Sequence, residues 1–436
     1  MSSIVSHVEA SPRAGVAQAG SVLICAVIVA FFVLAAALAA TRKDVTQGFD
    51  EVAHVSYVAH LQHTGAAWPA LEQMRMLDPT TFRFTDEPTY LIHQPAFYAL
   101  LAWLGPTLEG DPGALLAHRL LNIVLAALGL AAALAIGLSA RFPRHELYAY
   151  VVPLACIPVL APLAGSVNSD NLAFAGGAVA TLAAWQFVAT SRSAWLGLAL
   201  AGMIAAAFAK LTALLLVGGL MASVLAYLAW RGHMRRSWLA AAVVAAFVAA
   251  APYLVFMVQY GSPAPTTPAQ VAVVEDSARA AGWTGLERKS FPTYAIDFAG
   301  AFIVNFMPTL ARRSVMNYAM LAIPVAALVC AFAGIMQSLR RLAWRREAAT
   351  DVIVVGGAFA IVVTLMLHVV YSYERTPATG WLMDAYPRYY LPLAAVVPLA
   401  CLSLLAAVES MRMRQLLVGF LVAGPIVFRL LGAPLQ

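Results

Sequence analysis

Apolar stretches long enough to span a bilayer recur from Ser21 to Leu431, separated by short polar connections and by two longer polar intervals. A run of about 20 apolar residues crosses a hydrocarbon layer of about 30 Å as a helix. The pattern predicts about eleven spans, near 20–40, 114–140, 147–164, 171–190, 194–209, 211–230, 238–258, 319–339, 351–370, 388–408 and 416–433. One membrane domain then covers 1–436, with long loops at 41–112 and 259–318. Two places strain the pattern. His93–Leu108 is apolar but short and opens on His93-Gln94-Pro95, so it reads as an interfacial or re-entrant helix. Ser193–Trp230 is too long for one crossing. It is divided at Lys210, although Ala209-Lys210-Leu211-Thr212 offers no Gly or Pro for a turn.

The first long loop has its own periodicity. Gly48 to Gly65 is amphipathic at helical spacing, with Asp50, His54 and Tyr57 on one face and Gly65 followed by Pro69 as a stop. Asp50 is placed to cap this helix and Glu51 to complement its dipole.

Composition fixes the class. Hydrophobic residues make up 62% and charged residues 11%, against about a quarter charged in soluble domains. The short connections on one side are basic: Arg141 and Arg144, Arg192, Arg231 with Arg235 and Arg236, Arg340 to Arg346, Arg412 and Arg414. By the positive-inside rule that side is cytoplasmic, as is the N-terminus, and both long loops face outward. The net charge of +6 therefore belongs to topology, and nucleic acid is not an expected partner. Ser21–Ala40 reads as an uncleaved first span rather than a signal peptide, because its apolar run exceeds the usual h-region. The expected location is a bacterial-type inner membrane. Cys25, Cys156, Cys330 and Cys401 fall in apolar spans and read as core residues.

Several short motifs, taken in order, resemble the GT-C superfamily of membrane glycosyltransferases, which includes protein O-mannosyltransferases and lipid A aminoarabinose transferases. Phe49-Asp50-Glu51 with His54 looks like the family's acidic motif after the first span. His93-Gln94-Pro95-Ala96-Phe97-Tyr98 is similar to its His-Pro-Pro-Leu-Tyr-Tyr-type segment. Arg119-Leu120, Asn168-Ser169-Asp170, Lys210 in its Ala-Lys-Leu-Thr context and Arg388-Tyr389-Tyr390-Leu391-Pro392 continue the likeness. Gln94 stands where the family has its first proline, and no soluble C-terminal domain follows within these 436 residues.

The resemblance implies an all-α, GT-C-like transmembrane bundle with interfacial helices in the first outer loop. It also implies transfer of a sugar from a polyprenyl-phosphate donor to an extracytoplasmic acceptor. Such chemistry needs a base for the acceptor hydroxyl and cations for the leaving phosphate. Asp50 is the expected base, and Lys210 and Arg388 the expected phosphate partners. Glu51, His54, Asp170 and Tyr389 complete the expected substrate-binding set. The plainer readings are that Lys210 and Arg388 snorkel, that Asp170 caps its helix, and that the aromatics form an interfacial belt. No metal pattern is present among His54, His60, His63 and His93, although a divalent metal is compatible with them. The rival functions are a transporter or flippase for a lipid-linked saccharide and a non-catalytic membrane subunit. Convergence of Asp50, Lys210 and Arg388 separates these from the enzyme.

Overall fold

The computed structural model describes residues 12–280, 282, 288–306, 319–344, 348–375 and 385–432. Trp283, Arg312, Arg313, Arg345, Arg346 and Trp381 lie outside the described residues. Among the described residues, eight helices are long and apolar enough to cross a membrane, or nine with one bent pair. They include α1 (Pro12–Arg42), α4 (Leu115–Ser139), α7 (Asp170–Thr190), α9 (Leu211–Trp230) and α10 (Arg236–Tyr260). The later ones are α13 (Ala322–Ala343), α14 (Ala349–Arg375) and α16 (Met411–Val427). The bent pair is a 3-10 segment, Pro387–Leu393, joined at 69° to α15 (Val396–Leu405).

The remaining expected spans take a different form. Residues 147–164 are divided into α5 (Arg144–Ala155) and α6 (Leu160–Ala164), and the guanidinium of Arg429 donates to Pro158 O at 2.6 Å across the gap. Arg429 thereby serves a carbonyl that the broken helix leaves open. Residues 194–209 form α8 (Ser193–Ala207), shorter than a full crossing. Short helices α11 (Pro268–Ala280) and α12 (Phe291–Val304) lie in the second long loop.

The break after α8 falls where length alone placed it, and tertiary contacts replace the missing Gly or Pro. The chain leaves the helix at Phe208-Ala209, and Lys210 is extended (φ −162°, ψ 144°) before α9 begins. Two freed carbonyls find side chains from elsewhere. Tyr253 OH donates to Ala207 O at 2.5 Å, and the Gln94 amide donates to Phe208 O.

The first loop is more structured than its pattern predicts. Helices α2 (Glu51–Thr64) and α3 (Ala96–Leu104) enclose an antiparallel hairpin, β1 (Arg75–Leu77) with β2 (Phe84–Pro88), for which no strand was expected. Ser56 Oγ accepts from Leu77 N at 2.8 Å, tying the hairpin to α2. The α2 helix is therefore buried on nearly all sides, from Ala53 to Ala59, rather than lying amphipathic at an interface. Its apolar residues form a second core with Leu77, Phe97, Tyr98 and Leu101. As expected, Gly65 stops the helix in the left-handed region, at φ 64°.

Helix α7 runs through the main core against α4, α8, α14 and the 3-10 segment. Gly176 and Gly177 permit two of these approaches. A Cβ at Gly176 would meet Ala206 N at 2.5 Å, and one at Gly177 would collide with Pro392. That contact holds the 3-10 segment, and Arg388 with it, against the N-terminal half of α7.

Candidate functional site: a polar cluster at the head of α7

Five of the seven expected site residues meet at one end of the bundle. Asp170 opens α7, and its Oδ1 lies 2.9 Å from Lys210 Nζ. Its Oδ2 lies 3.6 Å from Arg388 Nε, and Arg388 Nη2 lies 3.8 Å from Asp50 Oδ2. Lys210 Nζ stands 3.7 Å over the ring of Tyr389, and Arg388 faces the rings of Phe49, Tyr386 and Tyr389. Two acids and two bases thus share one cluster with an aromatic floor.

The cations do not snorkel away from the bundle, because Arg388 and Lys210 are mostly covered (side chains 13% and 14% exposed). Asp170 does not cap its helix, for Ser169 is the cap residue and no side-chain cap bond forms. Asn168 Oδ1 takes the Asp170 N–H instead, at 2.8 Å. The Asp170–Arg388 contact is looser than the others. Asp170 Oδ2 and Arg388 Nε are both buried and neither has a hydrogen-bond partner among the described residues, a costly state for buried polar atoms.

Asp50 departs from the expected geometry in an instructive way. Gly48, Phe49 and Asp50 all have positive φ (86°, 61° and 55°), so the chain makes a left-handed turn before α2. That conformation costs a non-glycine residue about 1–2 kcal/mol, and strain of this kind is stored where the surroundings enforce it. Asp50 thus enters α2 from the left-handed region, and no side-chain cap bond forms. Its side chain is 53% exposed, 3.4 Å from Tyr90 OH.

Glu51 points the other way. Its carboxylate is fully buried and accepts from Arg119 Nε and Nη2, both at 2.8 Å, and from Val167 N at 2.9 Å. Lys43 Nζ adds a contact at 3.5 Å. Arg119 also donates to Ala40 O and Lys43 O at the end of α1. Helices α1, α2, α4 and the lead into α7 are pinned together by this pair.

His54 is also buried, and it meets protein rather than solvent. Its Nε2 lies 3.0 Å from Asn168 Nδ2 and its Nδ1 lies 2.9 Å from Tyr98 OH. Tyr98 OH is in turn 3.0 Å from His93 Nδ1. Burial, then the positive field of His93, Lys210, Arg388 and Lys43, pushes the imidazole well below its ordinary range, so His54 is neutral. Among the described residues no three His, Cys, Asp or Glu side chains gather as metal ligands would. His63 pairs with Glu109 at 2.7 Å and His60 packs edge-on to Phe84.

Lys43, Tyr90, Arg119, Asn122 and Asn168 were not among the expected site residues. Arg119 carried the available signal, a charge inside an apolar span, which is rare without a partner. Asn122, one turn on, accepts from Asn171 Nδ2 at 3.0 Å and Asn168 N at 3.3 Å. No family model matches the chain, and no curated protein matches it significantly.

Proposed function

We propose that the chain is a membrane glycosyltransferase that moves a sugar from a polyprenyl-phosphate donor to a hydroxyl of an extracytoplasmic glycan, lipid or protein. The observation that carries this reading is the juxtaposition of a half-exposed carboxylate, Asp50, with the covered cations Arg388 and Lys210. Asp50 takes the proton of the acceptor hydroxyl as its oxygen bonds to the anomeric carbon. The bond from that carbon to the phosphate oxygen breaks on the opposite face, so the product is inverted. Polyprenyl phosphate leaves with the electron pair, and Arg388 and Lys210 stabilise its charge.

Arg388 is suited to exchange partners. Its contacts to Asp50 and Asp170, at 3.8 and 3.6 Å, are longer than hydrogen bonds. A phosphate oxygen offers the guanidinium a shorter, charge-assisted bond. Tyr389 supplies the face on which Lys210 rests, and Asp170 holds both cations in place until the donor arrives.

In this reading the N-terminus is cytoplasmic and the protein sits in a bacterial-type inner membrane, with the head of α7 at the outer surface. The eleven-segment topology counts the bent pair, the broken α5–α6 and the short α8 as crossings. The test is a reconstituted transfer assay with polyprenyl-phosphate sugars, reading released polyprenyl phosphate. No polyprenyl-phosphate binding and no bond cleavage would reject the proposal. Movement of an intact lipid-linked saccharide across sealed vesicles would favour a flippase.

A further inference from the structure

Asn168 is 2% exposed, and its side-chain amide makes three hydrogen bonds. Two partners are backbone groups, and they fix which end is which. The N–H of Asp170 can only donate, so the atom 2.8 Å away is the amide oxygen. Phe49 O can only accept, so the atom 3.0 Å away is the amide nitrogen. The second N–H of that nitrogen points at His54 Nε2, at 3.0 Å. His54 Nε2 must therefore accept, and the single ring proton sits on Nδ1. That proton goes to Tyr98 OH, whose oxygen also lies 3.0 Å from His93 Nδ1. The chain has one direction as far as it is fixed by Asn168: Asn168 to His54 to Tyr98.

We infer that Asn168 is a positioning residue for the proposed reaction: donating to Phe49 O and His54 Nε2 and accepting from Asp170 N–H, it ties the left-handed turn carrying Asp50 to the backbone of Asp170. One amide grips Phe49, the residue before the base, and Asp170, the residue that holds Lys210. The spacing between the acid and the cations thus depends on one side chain. Neutrality matters because the cluster already balances two acids against two bases. The charged and titratable groups around His54 are His93 in the loop before α3, Tyr98 on α3 and Lys210 at the α8–α9 break. Arg388 on the 3-10 segment and Lys43 after α1 act on it as well, and the charges of Asp170 and Asp50 reach its partner Tyr98.

This inference rests on the glycosyltransferase reading for its purpose, but the direction of the chain does not. Asn168→Asp is nearly isosteric and replaces a donor nitrogen with an anionic oxygen facing Phe49 O and His54 Nε2. Protonation of His54 gives relief at the second of these contacts: its new Nε2–H donates to the carboxylate while Nδ1–H keeps its bond to Tyr98 OH. That raises the His54 pKa, so the arrangement is satisfied at low pH and lost as pH rises through the raised value.

Two measurements on the full-length protein decide it. In 15N-histidine-labelled protein, with His54→Asn for assignment, wild-type His54 is expected to be a neutral Nδ1–H tautomer at neutral pH. In Asn168→Asp it should become an imidazolium at mildly acidic pH. Affinity for polyprenyl monophosphate should fall about tenfold in Asn168→Asp at high pH and recover as pH is lowered. Asn168→Ala should weaken binding without that recovery, which separates positioning from packing. An Nε2–H tautomer or imidazolium in the wild type would overturn the proposal. So would an Asn168→Asp protein whose affinity matches wild type at every pH. Should Asn168→Asp not fold, the wild-type tautomer alone decides. If polyprenyl phosphate binds no form of the protein, the functional reading fails while the tautomer still tests the chain.

Discussion

Asp50 and Glu51 are adjacent in sequence and opposite in circumstance. Glu51 has both oxygens satisfied by Arg119 and Val167 N and has no access to solvent. Asp50 is half-exposed, held on a left-handed turn and paired to Arg388 only at 3.8 Å. A carboxylate whose bonds are all made is committed to structure. One whose partners are distant has capacity left for a ligand. The same contrast separates the two ends of the bundle. Asp351, at the start of α14, is satisfied by Ser338 Oγ at 2.7 Å, Arg341 Nε at 2.9 Å and Ala348 N at 2.9 Å. At the head of α7 the buried Asp170 Oδ2 and Arg388 Nε have no hydrogen-bond partner among the described residues.

The largest effect is expected at the committed pair. Arg119→Met leaves Glu51 buried with only the Val167 N–H and the longer contact to Lys43, and breaking a buried pair costs roughly 3–5 kcal/mol. Total stability is about 5–15 kcal/mol, so thermal unfolding in detergent should show a large loss or no folded protein. Glu51→Gln with Arg119→Met should recover part of it, because both charges are gone. Full stability of Arg119→Met would collapse the contrast between the two acids.

Asp50→Asn comes next, and it should spare the fold. Asparagine tolerates the left-handed region as well as aspartate does, and no cap bond is lost. Loss of a general base lowers rate by about 10²–10⁴-fold, while polyprenyl-phosphate affinity should hold or rise as an anion leaves Arg388. Near-normal transfer would remove Asp50 as base and move attention to Asp170. Glu51→Gln, by contrast, should read out in stability before it reads out in turnover.

Sequence periodicity carried the long helices and the stop at Gly65, because both are local. It also located the Lys210 break from length alone, but not its cause, since Gln94 and Tyr253 lie in distant segments. The β hairpin was missed: its strands are short, and Ser56 anchors it through a contact no pattern displays. Within the site, residue types were legible and directions were not. The helical spacing put Asp50, His54 and Tyr57 on one face, whereas Asp50 ends a left-handed turn just before α2 begins. Nothing in Phe49 or Asp50 announces positive φ; packing of Phe49 between Lys43 and Arg388 accompanies it.

A smaller effect separates the two cations from the two acids. Lys210→Met and Arg388→Met each remove a charge-assisted bond to phosphate, worth about 1.5–3 kcal/mol, or tenfold and more in affinity. Lys210→Met should be the less specific of the two, because it also strips Asp170 of its 2.9 Å partner. Unchanged polyprenyl-phosphate affinity in folded Arg388→Met would mean that its long contacts are simply poor ones.

The smallest effect tests whether being satisfied is enough to make an acid structural. Asp78, in the hairpin turn, accepts four hydrogen bonds on Oδ1 from the backbone and side chains of Thr80 and Thr81 at 2.6–3.0 Å, as many donors as Glu51 has on its two oxygens. Unlike Glu51 it lies at the surface, where water competes for every bond. Those hydrogen bonds hold its carboxyl at about 2, below its ordinary value. A depressed folded-state value means its contribution is complete above the ordinary carboxylate range and fades as pH falls toward 2. Asp78→Ala should therefore loosen the hairpin slightly at neutral pH, seen as faster amide exchange at Thr80 and Thr81. The difference from wild type should shrink as pH is lowered and vanish near pH 2, with transfer unaffected throughout. A difference that persists undiminished at low pH would assign the effect to lost packing rather than to the carboxylate, and burial would no longer be what separates Glu51 from an ordinary turn acid.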